Sequence, residues 1–234
     1  MICSKHTRQN AFGARIAVPF RLNLPAWQAG LINYHDSDIA LFLAYGWPVN
    51  YCLLSDPAPF VSNRSSAINF AQTVDSFLDT ELSYEATAGP FKHDPIPSRL
   101  QTSPLQTVDK DKTKRRVVLD LSFPPGRSVH DGIPKDTFLG VQFHLTLPRS
   151  ADFVNLILSH GPASFMYKKD LRRAYRQIPV DPKDYKFLCY KWRANYYFDL
   201  VLPFGLRSAI MACQRTTTAI AYMFKSEFNF ACIN

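Results

Sequence analysis

No apolar run in this chain is long enough to cross a bilayer; stretches such as Ala219 to Phe224 span a fraction of the roughly 20 residues a membrane helix needs. A spanning helix is excluded. The five cysteines, at 3, 52, 189, 213 and 232, form no close pair, and an odd number without a leader peptide argues for reduced thiols inside the cell rather than a secreted disulfide scaffold. Without an export signal, the glycosylation pattern Asn63-Arg64-Ser65 is set aside. The six histidines show no metal-ligand spacing, and there is neither a phosphate-loop glycine motif nor a Gly-x-Ser-x-Gly elbow, so zinc and hydrolase chemistry are not indicated. No repeat of 20 to 50 residues points to a solenoid.

What is present is a core-forming composition. Of 234 residues, 47% are apolar and 20% charged, which fits neither disorder nor low complexity. The length allows one large domain or two small ones. The formal charge of +8 is unevenly placed: 7 basic against 8 acidic residues up to position 100, and 20 against 11 after it. A basic second part suits a polyanion, because each neutralised phosphate releases condensed counterions. It equally suits a solvated basic face.

Residues 1 to about 30 show no sustained period and read as a poorly ordered lead-in. Residues 31–100 read as a helical and irregular N-terminal region. Within them Ala67, Phe70, Ala71, Val74, Phe77, Leu78 and Leu82 recur at helical spacing after a Ser66 cap, and Gly89 and Pro90 end the pattern. A proline-rich stretch from Pro90 to Pro104 is irregular. Residues 101–234 then alternate short strands and helices. Arg115 to Leu121 is strand-like, Ala151 to Leu158 helical, and Phe165 to Lys169 a buried strand. Lys186 to Trp192 and Tyr196 to Val201 suit a hairpin with a short loop, and Ala209, Cys213, Thr217, Ile220 and Phe224 mark a long helix. The class is α+β.

Chemistry concentrates in Tyr167 to Pro179. Here an expected strand ends on Asp170, and Lys168, Lys169, Arg172, Arg173 and Arg176 surround that carboxylate in sequence. An acid among bases suits metal and phosphate, since phosphoryl transfer uses carboxylates to hold divalent cations that bridge a triphosphate. It also suits a carboxylate simply neutralised by Lys169 and Arg173. A second group, Leu202 to Ala209, breaks a strand at Pro203-Phe204-Gly205 and enters a helix; there Gly205 serves a turn or leaves room for a ligand. Upstream lies the basic run Lys110, Lys112, Lys114, Arg115 and Arg116, either a phosphate clamp or an exposed hairpin tip. The aromatic residues Tyr185, Tyr190, Trp192, Tyr196, Tyr197 and Phe198, interleaved with lysine and arginine, could stack on bases. Alternation along a hairpin favours packing for them.

Asp170-Leu171-Arg172-Arg173-Ala174-Tyr175 resembles the first palm motif of reverse transcriptases, and Leu202-Pro203-Phe204-Gly205-Leu206-Arg207-Ser208-Ala209 resembles the second. With Arg115 to Gly126 upstream and Tyr197 to Val201 before the second motif, the wording is most similar to tyrosine-recombinase retrotransposons of the DIRS and Ngaro type. The resemblance implies a partial right-hand polymerase, holding the fingers and an incomplete palm. It implies an RNA or DNA primer-template and deoxynucleoside triphosphates as partners, with no membrane. Asp170 would be the catalytic acid and magnesium ligand, and Tyr175 the gate against ribonucleotides. Arg116 and Lys110 would hold triphosphate, and Leu171, Phe204 and Gly205 would line the nucleotide pocket. Tyr175 as an ordinary core tyrosine is the alternative.

The family's third motif, an aromatic residue followed by a variable residue and two aspartates, has no counterpart, because no Asp-Asp pair occurs in the sequence. One carboxylate does not hold two magnesium ions. The expectation is therefore a chain truncated before that motif and inactive by itself, with a noncatalytic nucleic-acid-binding remnant as the alternative. Ile210 stands where many relatives have proline after Ser-Ala, which leaves the start of the last helix open.

Overall fold

A computed structural model describes residue 18 and residues 21–53, 61–96, 100–162, 165, 166 and 168–228. The fold is mixed helix and sheet. Helix α1 (Leu24–Gly30) lies within the stretch expected to be a lead-in, and its form is local: Asn23 accepts the Ala26 N–H at 3.2 Å and Pro25 stands in the first turn. Its Trp27 is buried against Leu31 and Ile39, Leu43 of helix α2 (Asp38–Tyr45), and Ala219 of the C-terminal helix. Gly46 then turns the chain at φ +91. A side chain there would meet Asp181 N and Val180 O at 2.4 Å, so the absence of a Cβ is what lets the strand-like segment after it close on residues 179–181. Trp47 N–H donates to Pro179 O at 2.8 Å, and Asp181 N–H to Trp47 O at 2.9 Å.

The single helix expected from Ser66 to Leu82 is two, α3 (Ser65–Asn69) and α4 (Ala71–Ser83). Phe70 leaves helical geometry between them, at φ −116 and ψ 44, and receives the Arg115 guanidinium at 3.8 Å from its ring centroid. Gly89 and Pro90 do not end the helix. They lie in strand β1 (Thr87–Phe91), after a turn in which Glu85 takes φ +54.

Strands β2 (Leu105–Asp109) and β3 (Arg115–Leu119) pair antiparallel, from Leu105 with Leu119 to Asp109 with Arg115. The first of them was not legible beside the prolines. At the tip, Asp111 accepts the N–H groups of Thr113 and Lys114 at 2.9 and 2.8 Å, the Asx-type closure that lets Lys110 to Lys114 reverse the chain. Two-residue strands β4 (Thr137–Phe138) and β5 (Val141–Gln142) come next, then helix α5 (Ser150–His160).

The main sheet runs in the order β1, β7 (Asn195–Asp199), β6 (Cys189–Trp192), all antiparallel. The expected hairpin forms but is shorter than expected, since Lys186 and Phe187 lie in a 3-10 turn (Pro182–Phe187) and the second strand ends at Asp199. Its loop residues Arg193 and Ala194 take φ +47 and +64, the twist a two-residue connection needs. Tyr190, Trp192, Tyr197 and Phe198 are buried, so those rings are core and not a stacking platform. Helix α6 (Ala209–Phe228) starts directly after Ser208 despite Ile210, which settles its start. One continuous core joins Phe42, Trp47 and Val74 to Leu105, Leu119, Leu188 and Met211. Arg215 of α6 makes a fork to Asp36 at 2.7 Å through both oxygens and covers the rings of Phe42 and Trp47.

The expected strand at 165–169 is not formed. Phe165 is fully exposed and Met166 70% exposed, while Tyr167 lies outside the described residues. A buried strand needs neighbours on its edges, and among the described residues none pairs with this segment. Of the described cysteines, Cys189 and Cys213 are free and Cys52 is disulfide-bonded, which corrects the expectation of reduced thiols throughout. Among the described residues no helix is long and apolar enough to cross a membrane.

Candidate functional site

Phe204 is where two of the sequence-predicted residues, Tyr175 and Arg116, meet. Beyond β7 the chain is pinned to the segment at 178–180: Val180 N–H donates to Leu200 O and Leu202 N–H to Ile178 O, both at 2.9 Å. That segment directly follows a 3-10 turn, Ala174–Gln177, entered through Arg173 at φ +58. Tyr175 on this turn therefore stands beside the bend. Its ring meets Phe204 edge to face, with centroids 5.5 Å apart. From β3, the exposed Arg116 places its guanidinium 5.8 Å from the same Phe204 ring. Phe204 is 42% exposed, so this cluster faces solvent rather than closing the core.

Gly205 takes φ +88, and nothing lies within 4 Å of where a Cβ would be. The bend thus needs glycine for its backbone angle and leaves open space above it. Its far side is clamped. His130 accepts the Arg207 N–H on Nε2 at 3.1 Å while Nδ1 contacts Ser122 Oγ at 2.9 Å. The Arg207 guanidinium donates to the carbonyls of His130 and Ile133 at 2.5 and 2.6 Å, and Ser208 Oγ donates to Val49 O at 2.9 Å. Burial, joined by the charge of Arg207, holds His130 below its ordinary pKa, which keeps Nε2 free to accept. Burial, joined by nearby Cys213, raises Tyr175, so its hydroxyl stays protonated at neutral pH.

The other predicted residues are spread more widely. Lys110 lies exposed at the β2–β3 tip, with its backbone N–H bonded to Lys114 O. Leu171 is 42% exposed. Asp170 is exposed in irregular chain, not at the end of a strand. Among the described residues no group of three His, Cys, Asp or Glu side chains could hold a metal ion.

Sequence reasoning missed the most buried polar feature beside this cluster. Arg176, whose side chain is 4% exposed, donates to both Asp199 oxygens at 2.7 and 3.0 Å, and to Glu81 Oε2 at 2.9 and 2.7 Å. Burial opposes its charge, yet Asp199 and Glu81 outweigh burial and raise its pKa. Thr87 Oγ1 donates to Asp199 at 2.7 Å, and Arg173 adds a second guanidinium to Glu81 at 2.7 Å. This network links α4, β1, β7 and the Tyr175 turn, and a small cavity behind Phe204 is lined by Arg176, Asp199 and Val117. The one signal for it was the density of arginine after Asp170; its partners are 23 to 95 positions away in sequence.

No protein-family model matches the sequence, and no curated protein does. Among solved structures, the chain is similar to the prototype foamy virus protease-reverse transcriptase. The selenomethionine-labelled CSH mutant aligns at 18% identity with TM-score 0.50, covering 89% of this chain and 28% of that one. The native form aligns at 17% identity with TM-score 0.46, covering 90% and 28%. At such identity the first likeness shows the fold alone, a reverse-transcriptase-like one, and this chain spans little more than a quarter of that protein's length.

Proposed function

We propose that the chain is the nucleotide-binding portion of an RNA-directed DNA polymerase of a retrotransposon similar to the DIRS and Ngaro type, acting inside the cell on a primer-template. The observation that carries this reading is the convergence of Tyr175 and Arg116 on Phe204, on a reverse-transcriptase-like fold. A planar fork at Arg116 suits triphosphate oxygens, and the open space above Gly205 suits a base pair or sugar. The Tyr175 ring beside that space would occlude a ribose 2′-hydroxyl, the group that separates ribonucleotides from deoxynucleotides. In this reading β2 and β3 belong to the fingers, the main sheet and α6 to an incomplete palm, and Lys110 and Leu171 flank the nucleotide. Asp170 would serve as catalytic acid only with further carboxylates beside it, and magnesium enters on the same condition.

The exposure of Asp170 in irregular chain, away from the end of any described strand, favours a second reading in which the chain binds nucleic acid without catalysis. Both readings are separated by titrating the purified chain with a fluorescent deoxynucleoside triphosphate and its ribonucleotide counterpart. The first expects tighter binding of the deoxy form, weakened about tenfold or more by Arg116→Ala, as a lost charge-assisted hydrogen bond of about 1.5–3 kcal/mol implies. Tyr175→Ala should erase the preference. Equal, weak binding of both nucleotides by the unaltered chain would leave the second reading. Primer extension is expected to show no incorporation; incorporation abolished by Asp170→Asn would restore a catalytic role.

A further inference from the structure

Arg176 lines a second, larger cavity of about 400 Å³, and its walls hold the arginines of the Asp170 motif that the nucleotide reading leaves without a task. Arg172 and Arg173 enter from that motif, Tyr84 and Glu85 from the end of α4, Arg21 from the chain before α1, and Gln177 from the Tyr175 turn. The volume is that of a small-ligand pocket, wide enough for one nucleotide unit. Tyr84 organises the cations. Its hydroxyl accepts from the Arg172 guanidinium at 3.0 Å, the Arg173 guanidinium lies 4.1 Å from its ring centroid, and that of Arg21 lies at 5.7 Å. The carboxylates nearby are unevenly committed. Glu81 serves Arg173 and Arg176, while Glu85 reaches Arg21 at 3.5 Å across largely exposed side chains. Among the described residues Arg172 has no carboxylate partner, and its guanidinium is held in place by a neutral hydroxyl.

An exposed guanidinium oriented beside a second one, over an aromatic wall, matches a phosphate flanked by an apolar sugar or base. The geometry points to this cavity as the path of a single-stranded nucleic-acid segment, with Arg172 and Arg21 on its phosphodiesters. The inference rests on the nucleic-acid reading above and adds a place for the strand, on the side of Arg176 that also meets Pro179 and Val201. A phosphodiester displaces only the weak Arg21–Glu85 contact, since an exposed pair at that distance contributes little.

The test is the anisotropy of a labelled single-stranded 15-mer titrated with the full 234-residue chain over a range of salt. Arg172→Ala is expected to weaken binding about tenfold at low salt and to flatten the slope of log affinity against log salt by about 0.7, the value for one phosphate contact on a single strand. Arg172→Glu should weaken it further. Arg172 is exposed, so both variants should keep the melting temperature of the unaltered chain. Tyr84→Phe, which removes only the hydroxyl that orients Arg172, should weaken binding about twofold to threefold with the slope retained. Unchanged affinity and slope in both Arg172 variants would overturn the assignment while leaving the nucleotide reading intact. Loss confined to Arg116→Ala would overturn it too, by placing the strand on the Phe204 side. A chain that binds neither the 15-mer nor the triphosphate would sink the nucleotide reading and the groove together. Competition by polyglutamate of equal charge as strong as by unlabelled 15-mer would also overturn it, since charge alone would then explain the binding.

Discussion

Helices α4 and α5 are similar amphipathic segments of 13 and 11 residues with opposite fates. In α4, Val74, Leu78 and Glu81 are buried, and the helix packs on β1 and β3. Helix α5 carries Phe153, Val154, Leu156, Ile157 and Leu158 yet buries none of its residues; Leu158 is 73% exposed. The apolar residues around it, Leu147, Phe165 and Met166, are equally open. Periodicity states which face a helix offers, and only a partner decides whether that face contributes stability. Stability in this chain is therefore concentrated around α4, the two hairpins and α6, and Asp170 sits at the end of the uncovered stretch.

The contrast breaks hardest where the covered half holds charge. Arg176→Ala leaves Asp199 buried with no cationic partner among the described residues, only the Thr87 hydroxyl, while Glu81 keeps Arg173; removing one partner of a buried pair costs about 3–5 kcal/mol. Urea unfolding followed by far-UV circular dichroism should show that loss; a change under about 1 kcal/mol would mean water reaches the network. Within α4 itself, Leu78→Ala removes a side chain that is 4% exposed and should cost about 2–5 kcal/mol by the same measurement.

What the sequence revealed and what it withheld divide along the same line. The β6–β7 hairpin and α6 were legible because alternation and helical spacing are local signals, and both elements find their partners in the chain. The Phe204 cluster was legible as two motifs, although their contact with Arg116 comes from the fold. The strand expected at Phe165 to Lys169 failed because its apolar character was read as burial, while among the described residues no strand pairs with it. Phe70 interrupts an otherwise unbroken helical pattern as its ring receives Arg115 across more than 40 positions. The Arg176 network left only the density of arginine after Asp170 as a trace, since a buried arginine has no distinct local signature and its carboxylates come from α4 and β7.

A smaller effect is expected where the second motif meets the turn at Ser122. Burial first, and the charge of Arg207 second, depress the His130 pKa below the 6.5 of an unfolded histidine. The unfolded chain therefore takes up this proton first as the pH falls. The stabilisation is complete above about pH 6.5 and is lost progressively below it, until the folded form also titrates. Melting temperature measured from pH 8 to pH 5 should fall in the acid half, and His130→Gln should flatten that fall. An unchanged profile in the variant would show that the clamp on Arg207 does not depend on a neutral imidazole.

The smallest effect is the sharpest probe of the contrast between the helices. Leu158→Ala changes a side chain that touches water already, so its cost should stay within about 0.5 kcal/mol, the range of surface substitutions. Paired with Leu78→Ala in the same denaturation series, it measures coverage directly. If the Leu158 variant lost as much as the Leu78 variant, the apolar face of α5 would be buried in solution. The difference in coverage between the two helices would then fall, and the open face of α5 would not distinguish it from α4.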